Sequence, residues 1–358
     1  MLSCRYLLYL LLLFSALPIC AQSSSIPAAP SSQAQISAAP PQHLAPELGE
    51  VHRLIEQGRF SDAVGKLQEL QKIHPEMKGI HHELGLAYYR QSDFVHAQEE
   101  FAKATEEDPN DHEAVQLRGI SLFQTGRAAD AIPLLKQLQA WAPETSVESS
   151  YVLALAYIQT RGYENARLQA ARMYGVPPDS AASHLLIARL LLRQGIDPIA
   201  EASAQKAIVL DPKLPLAHFL LGEYYLYKSD IPKSIQELEQ ELKLNPGYAA
   251  TYDRLADAYI RSGRYGDAEK LLQRSFLLDA NSTGAYILMG KVQIKKQDYQ
   301  LATLYLRKAV KMDPNNFISH HLLGEAYRGM GRSEDAEREL KAAEQLQSSQ
   351  HPQLENVR

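Results

Sequence analysis

The chain has 358 residues, 37 Lys and Arg against 42 Asp and Glu, a formal charge of −5, and two cysteines. The length allows more than one compact body. The acidic balance, with no run of Lys or Arg long enough to follow a phosphate backbone, excludes nucleic acid as an expected partner.

Met1–Ala21 reads as a targeting segment rather than part of a fold. Arg5 precedes an apolar run from Tyr6 to Leu17, and Pro18 breaks it. The run is short for a bilayer span, and Ile19-Cys20-Ala21 before Gln22 suits a secretory cleavage site. Cleavage there sends the protein to the periplasm or the secreted space. Lipidation on Cys20 is the alternative, and a retained membrane anchor a third. Cys4 and Cys20 both lie in this segment, so disulfides, thiol nucleophiles and cysteine metal sites are not expected downstream. Residues 22–43 contain no Asp, Glu, Lys or Arg and are built largely from Ser, Ala, Pro and Gln, which predicts a flexible linker.

From Leu44 a pattern recurs about every 34 residues. In Lys78–Asp111, Leu84 and Tyr88 fall at helical spacing, and so do Ala97, Phe101 and Ala104. This predicts one amphipathic helix over Gly79–Arg90 and a second over Phe94–Glu107. Gln91-Ser92-Asp93 leaves room only for a tight turn, so the two must be antiparallel. Asp108-Pro109 ends the second helix, because the residue before proline avoids the αR region. A period of this length marks a solenoid, whose helix pairs bury their outer faces on one another. Units are placed near 44–77, 78–111, 112–145, 147–180, 181–214, 215–248, 249–282, 283–316 and 317–350, with one residue inserted near Ser146. Residues 351–358 form a polar tail, and Glu334–Gln347 is the expected last helix.

Three punctuation marks repeat. A small residue sits in the first helix (Gly85, Gly119, Ala154, Ala188, Gly222, Ala256, Gly290, Gly324). Another opens the second helix (Ala63, Ala97, Ala131, Ala166, Ala200, Ser234, Ala268, Ala302, Ala336). The first helix ends at Gly58, Gly126, Gly195, Gly263 and Gly331, where glycine favours the left-handed cap, and at Ser92, Arg161, Ser229 and Gln297 in the intervening units. Pro133 is expected near the first turn of its helix, and Pro198 and Pro232 at helix starts.

With these residues the chain resembles the tetratricopeptide repeat family over residues 44–350. The resemblance implies an all-α, right-handed α-solenoid of about nine antiparallel helix pairs. It also implies a concave groove lined by the first helices, where a partner peptide binds. Carried onto this sequence, that face holds Tyr151, Leu155 and Ile158, then Leu185, Arg189, Leu192 and Arg193, then Phe219, Glu223, Leu226 and Tyr227. Asp253, Asp257, Arg261, Lys291 and Lys295 continue it. Aromatic and aliphatic anchors with arginines suit a protein-binding surface. Several of the apolar members have packing against adjacent helices as the competing role.

Catalytic patterns are weak. His82-Glu83-Leu84-Gly85-Leu86 starts like H-E-x-x-H, but position 86 is Leu, so the second imidazole that zinc requires is missing. His81, His184, His218 and His320 recur at one repeat position and read as packing residues between helices. The expectation is a non-enzymatic protein-interaction scaffold of a bacterial envelope or secreted space. It has no cofactor, metal or small-molecule substrate, and its partner is a protein or peptide. The alternatives are an accessory subunit of an envelope enzyme or of a secretion or assembly complex, and a self-associating structural protein.

Overall fold

A computed structural model describes residues 46–141 and 147–350. The targeting segment, the linker, Pro143, the insertion near Ser146 and the tail lie outside these residues. The described chain is helical, with no strand. Its first helices are α1 (Pro46–Glu56), α3 (Ile80–Arg90), α5 (His112–Gln124), α7 (Val147–Gln159), α9 (Ala181–Arg193), α11 (Ala217–Tyr227), α13 (Ala249–Arg261), α15 (Thr283–Lys295) and α17 (Phe317–Gly329). Each is followed by a second helix: α2 (Phe60–Ile73), α4 (Phe94–Glu107), α6 (Ala128–Trp141), α8 (Tyr163–Met173), α10 (Asp197–Leu210), α12 (Ile231–Leu244), α14 (Tyr265–Leu278), α16 (Tyr299–Met312) and α18 (Ser333–Gln350). Helix α18 runs three residues past the expected end at Gln347. None of the described helices is long and apolar enough to cross a membrane.

The chain divides into an N-terminal unit ending at Ala200 and a C-terminal unit beginning at Glu201. In the N-terminal unit, Leu48, Val51, Leu84, Phe101, Ile120, Leu135, Leu153 and Leu191 belong to one continuous core. In the C-terminal unit one cluster gathers Leu238, Leu255, Leu272 and Met289, and another gathers Ile294, Leu306, Leu323 and Ala336.

Most pairs close on a glycine or alanine in the first helix; in the first pair Val51 holds that position. A Cβ placed on Gly85 would meet the Phe101 ring at 2.6 Å, and one on Gly222 would meet Leu238 at 2.5 Å. Gly119 with Leu135, Gly290 with Leu306 and Gly324 with Leu340 repeat the relation. Where the first helix carries Ala154, the second helix has Ala170 at the position of that large residue. The pairs trade volume across the crossing, as close packing requires. Ala256, opposite the position of Leu272, departs from the trade.

The turns between paired helices are alike. Gly58, Gly126, Gly195, Gly263 and Gly331 have φ between 70° and 80°, and Ser92, Arg161, Ser229 and Gln297 have φ between 60° and 63°. The next amide donates back five residues, as from Asp93 to the Tyr88 carbonyl (2.9 Å) and from Arg264 to the Tyr259 carbonyl (2.8 Å). This is the Schellman arrangement, which satisfies carbonyls at the helix end. Asp93, Asp111, Ser180, Asp230, Ser282, Asp298 and Asn316 cap helix N-termini through their side chains. Pro198 and Pro232 are second residues of their helices. Pro133 is the sixth residue of α6, not near the first turn, so the Ala129 carbonyl lacks its ordinary helical donor.

Candidate functional site

The first helices of the two units are described separately. In the N-terminal unit Leu155, Ile158 and Leu185 are 7%, 2% and 5% exposed, so their side chains fill the space between helices. Tyr151 and Leu192 are half-buried against the core, Arg189 is half-buried and Arg193 is exposed. Tyr174 joins them. It caps the C-terminus of α8, and its half-buried ring packs on the same core. Burial pushes the Tyr174 phenol up, the Arg189 and Arg193 charges pull it down, and Tyr151 pushes it up again. One phenol thus senses Tyr151, Arg189 and Arg193 together. The repeat pattern overlooks Tyr174 because it lies beyond the end of a second helix.

In the C-terminal unit Leu226 is 6% exposed and Tyr227 is 47% exposed. Phe219 is half-buried, edge-on to Tyr248 at 5.2 Å. The charged residues form bridges between successive first helices. Arg254 of α13 donates to Glu223 of α11 at 2.7 Å. Asp257 of α13 pairs with Arg261 at 2.9 Å and with Lys291 of α15 at 3.7 Å. Arg261 also donates to the Leu226 carbonyl at 3.2 Å, where the α11 helix dipole favours a cation. Asp253 accepts from Ser282 at 2.9 Å, and burial raises its carboxyl above the usual range despite the Ser275 and Ser282 hydroxyls and the Arg254 charge. Lys295 is exposed and makes no ion pair among the described residues. Arg254, which sequence reasoning missed, lies one residue past an expected inward position.

The recurring histidines do more than fill space. His81 meets Glu100 at 2.5 Å, His218 meets Glu237 at 2.7 Å and His320 meets Glu339 at 2.7 Å, each joining the two helices of one pair. The separation is 19 residues each time, a signal visible only when both helices are read in register. Glu83, the acid of the incomplete zinc pattern, is 2% exposed and accepts from His52 at 3.1 and 3.2 Å. Among the described residues no group of three or more His, Cys, Asp or Glu is placed to hold a metal ion. An open depression of about 470 Å³ is lined in part by Gln98, Arg118, Arg127 and Pro133.

Four family models, all described as tetratricopeptide repeat, match the chain: one over residues 48–97, 82–144 and 151–215, and the others over 225–292, 283–316 and 305–338. The chain belongs to the tetratricopeptide repeat family, whose members are generally non-catalytic protein-interaction proteins. No curated protein matches it. Solved structures similar to it include MamA from Desulfovibrio magneticus RS-1, at 20% identity, covering 48% of this chain and 98% of that one with a TM-score of 0.44. Pseudomonas aeruginosa pilF is similar at 16% identity, covering 58% of this chain and 92% of that one with a TM-score of 0.45. YrrB, described as a TPR protein with an unusual peptide-binding site, is similar at 20% identity, covering 49% of this chain and 89% of that one with a TM-score of 0.41.

Proposed function

We propose that this chain is an exported interaction scaffold that binds an acidic, aromatic-bearing segment of a partner protein on its first-helix faces. The observation that carries this reading is that Tyr151, Arg189 and Arg193 lie close enough to Tyr174 to act on its phenol, with both tyrosines half-buried on the core of the N-terminal unit. Arginine offers a carboxylate two donors in a planar fork, and tyrosine adds contact area at little entropic cost. Arg189 and Arg193 are one helical turn apart, so an extended acidic segment can meet both. Export rests on the Arg5, Tyr6–Leu17 and Ala21 pattern, and places the partner in an envelope or secreted space.

A displayed library of random peptides, selected on the chain from Gln22 onward and on its Arg189→Glu/Arg193→Glu variant, tests this. Enrichment of Asp- and Glu-rich peptides with an aromatic residue on the parent chain, lost on the variant, supports the reading. Equal enrichment on both refutes it. Fusion of residues 1–45 to a phosphatase active only after export tests the location, and an inactive fusion refutes that part.

A further inference from the structure

A ladder of histidines and carboxylates crosses the first three first-helices of the N-terminal unit. His52 of α1 points Nδ1 at Glu83 of α3, and its Nε2 lies 3.8 Å from Glu56. His82 of α3 points Nδ1 at Asp111, which precedes α5, at 2.6 Å, and its Nε2 lies 3.7 Å from Glu113 of α5. The charges of Glu83 and Glu113 reach both imidazoles. From α4, the Phe101 ring meets His82 edge-on at 6.2 Å. From α2, Lys66 turns to Glu50 and Gln71 to His81.

The rung at α1 is the weak one. This helix has a packed neighbour on one side only among the described residues, and it is docked through Leu48, Val51 and Ile55. Gly49 lies within it and Gly65 within α2, and neither has an atom within 4 Å of a would-be Cβ. Glycine there weakens the helices with no packing gain. Glu83 is nearly fully buried, and a neutral His52 offers that carboxyl no positive charge, which is costly in a low-dielectric site.

We propose that α1 is a pH-sensitive terminal latch, docked on α3 through the charged His52–Glu83 pair and loosened as the imidazole loses its proton. The direction follows from linkage. The hydrogen bond to Glu83 raises His52 above its ordinary 6.5, with burial opposing and the Glu83, Glu56 and Glu113 charges adding. Burial opposes the His82 charge, and the Asp111 hydrogen bond and nearby carboxylates overcome it, so His82 is raised too. A raised imidazole stabilises the fold fully below 6.5 and loses that contribution as pH climbs through its folded value. Burial works to raise Asp111, but His82 and the Ala114 and Glu113 amides together outweigh it and lower it from 3.8, so its contribution, made between α3 and the start of α5, fails only on acidification. The His52 contribution to docking α1 is therefore full below 6.5 and falls as pH climbs through its folded value.

Hydrogen exchange of the full chain at about pH 5.5 and about pH 8.5, corrected for intrinsic chemical exchange, reads the latch over residues 46–56, with α13 as internal reference. The expected result is a several-fold loss of protection in α1 at the higher pH, with α13 unchanged. His52→Gln keeps a donor and removes the charge, so it should lose protection at both values and show no pH step. Should that variant not fold, NMR titration of His52 in the parent chain is the second reading, with a value above 6.5 expected. Equal α1 protection at both pH values in the parent overturns the proposal, as does a pH step retained in His52→Gln or a His52 titration at or below 6.5.

Discussion

Gly290→Ala is the sharpest test of how the helix pairs close. In an exposed helix this change stabilises by up to about 1 kcal/mol, because alanine has less backbone entropy to lose. Here the added methyl would stand 2.4 Å from Leu306 Cγ and 2.6 Å from its Cδ2. Ordinary carbon contacts lie at about 3.5–4.0 Å, so α15 and α16 must part by about 1 Å or Leu306 must leave its rotamer. Leu306 is 0% exposed and has nowhere open to move. Overpacking of this kind costs about 1–3 kcal/mol, which outweighs the helix gain and leaves the variant about 1–2 kcal/mol less stable. Gly65→Ala is the matched control. Gly65 also lies inside a helix, but nothing stands within 4 Å, so the same substitution should stabilise by about 0.5–1 kcal/mol. Because repeat arrays unfold in parts, hydrogen-exchange protection of α15–α16 and of α1–α2 is the appropriate assay. Opposite signs are expected. A Gly290→Ala protein as stable as its parent would refute the account of the crossing.

Gln297 holds φ 63° where five other turns use glycine, so Gln297→Gly should stabilise α15–α16 by about 0.5–1 kcal/mol in the same assay. Unchanged protection would count against strain at that turn. Glu241 is 0% exposed and accepts from the Leu216 amide at 3.0 Å and the Phe219 amide at 3.2 Å, at the start of α11. Glu241→Ala should cost about 2–3 kcal/mol in urea unfolding of the C-terminal unit, and a loss below about 1 kcal/mol would remove it as a cap. Tyr89, Tyr225 and Tyr259 are each pushed up to about 12, first by burial. Their phenols stabilise the fold fully below the ordinary 10.0, and that contribution falls as pH rises from about 10 to about 12. Absorbance titration should show three late phenols that move to the ordinary value on unfolding.

The helix pairs were legible because each carries its boundary signals locally. Phe94–Glu107 was bounded correctly from Asp93 before it and Asp108-Pro109 after it. The left-handed turns were legible at the five glycines, and register alone extended them to Ser92, Arg161, Ser229 and Gln297. Exposure on the first-helix faces was not legible. Ile158 and Tyr227 both follow the helical period, yet one is 2% and the other 47% exposed. The period marks a face but does not say how deeply the neighbouring helix covers it. Pro133 was misplaced because α6 begins at Ala128, earlier than the proline suggests. The His–Glu bridges escaped because their partners lie on different helices, 19 residues apart.

The bridges on the first-helix face of the C-terminal unit bear on how that face can bind. Glu223 and Asp257 already have cations from neighbouring helices, so a basic partner must displace Arg254, Arg261 or Lys291 before it gains anything. Such exchange at a half-exposed pair returns little, since surface ion pairs contribute about 0–1 kcal/mol. For an acidic partner the exchange is smaller: Arg261 and Lys291 share one carboxylate, and Lys295, exposed one turn beyond Lys291, makes no ion pair among the described residues. On the reading proposed above, this face favours acidic segments although the whole chain is acidic. Lys291→Glu/Lys295→Glu should reverse that bias, raising the affinity for basic peptides over acidic ones in a fluorescence-anisotropy titration at low salt. Asp257 would then lose one partner and keep Arg261, so helicity should be preserved. An unchanged preference between acidic and basic peptides would show that the bridged charges on α13 and α15 hold the helices together and do not select what binds there.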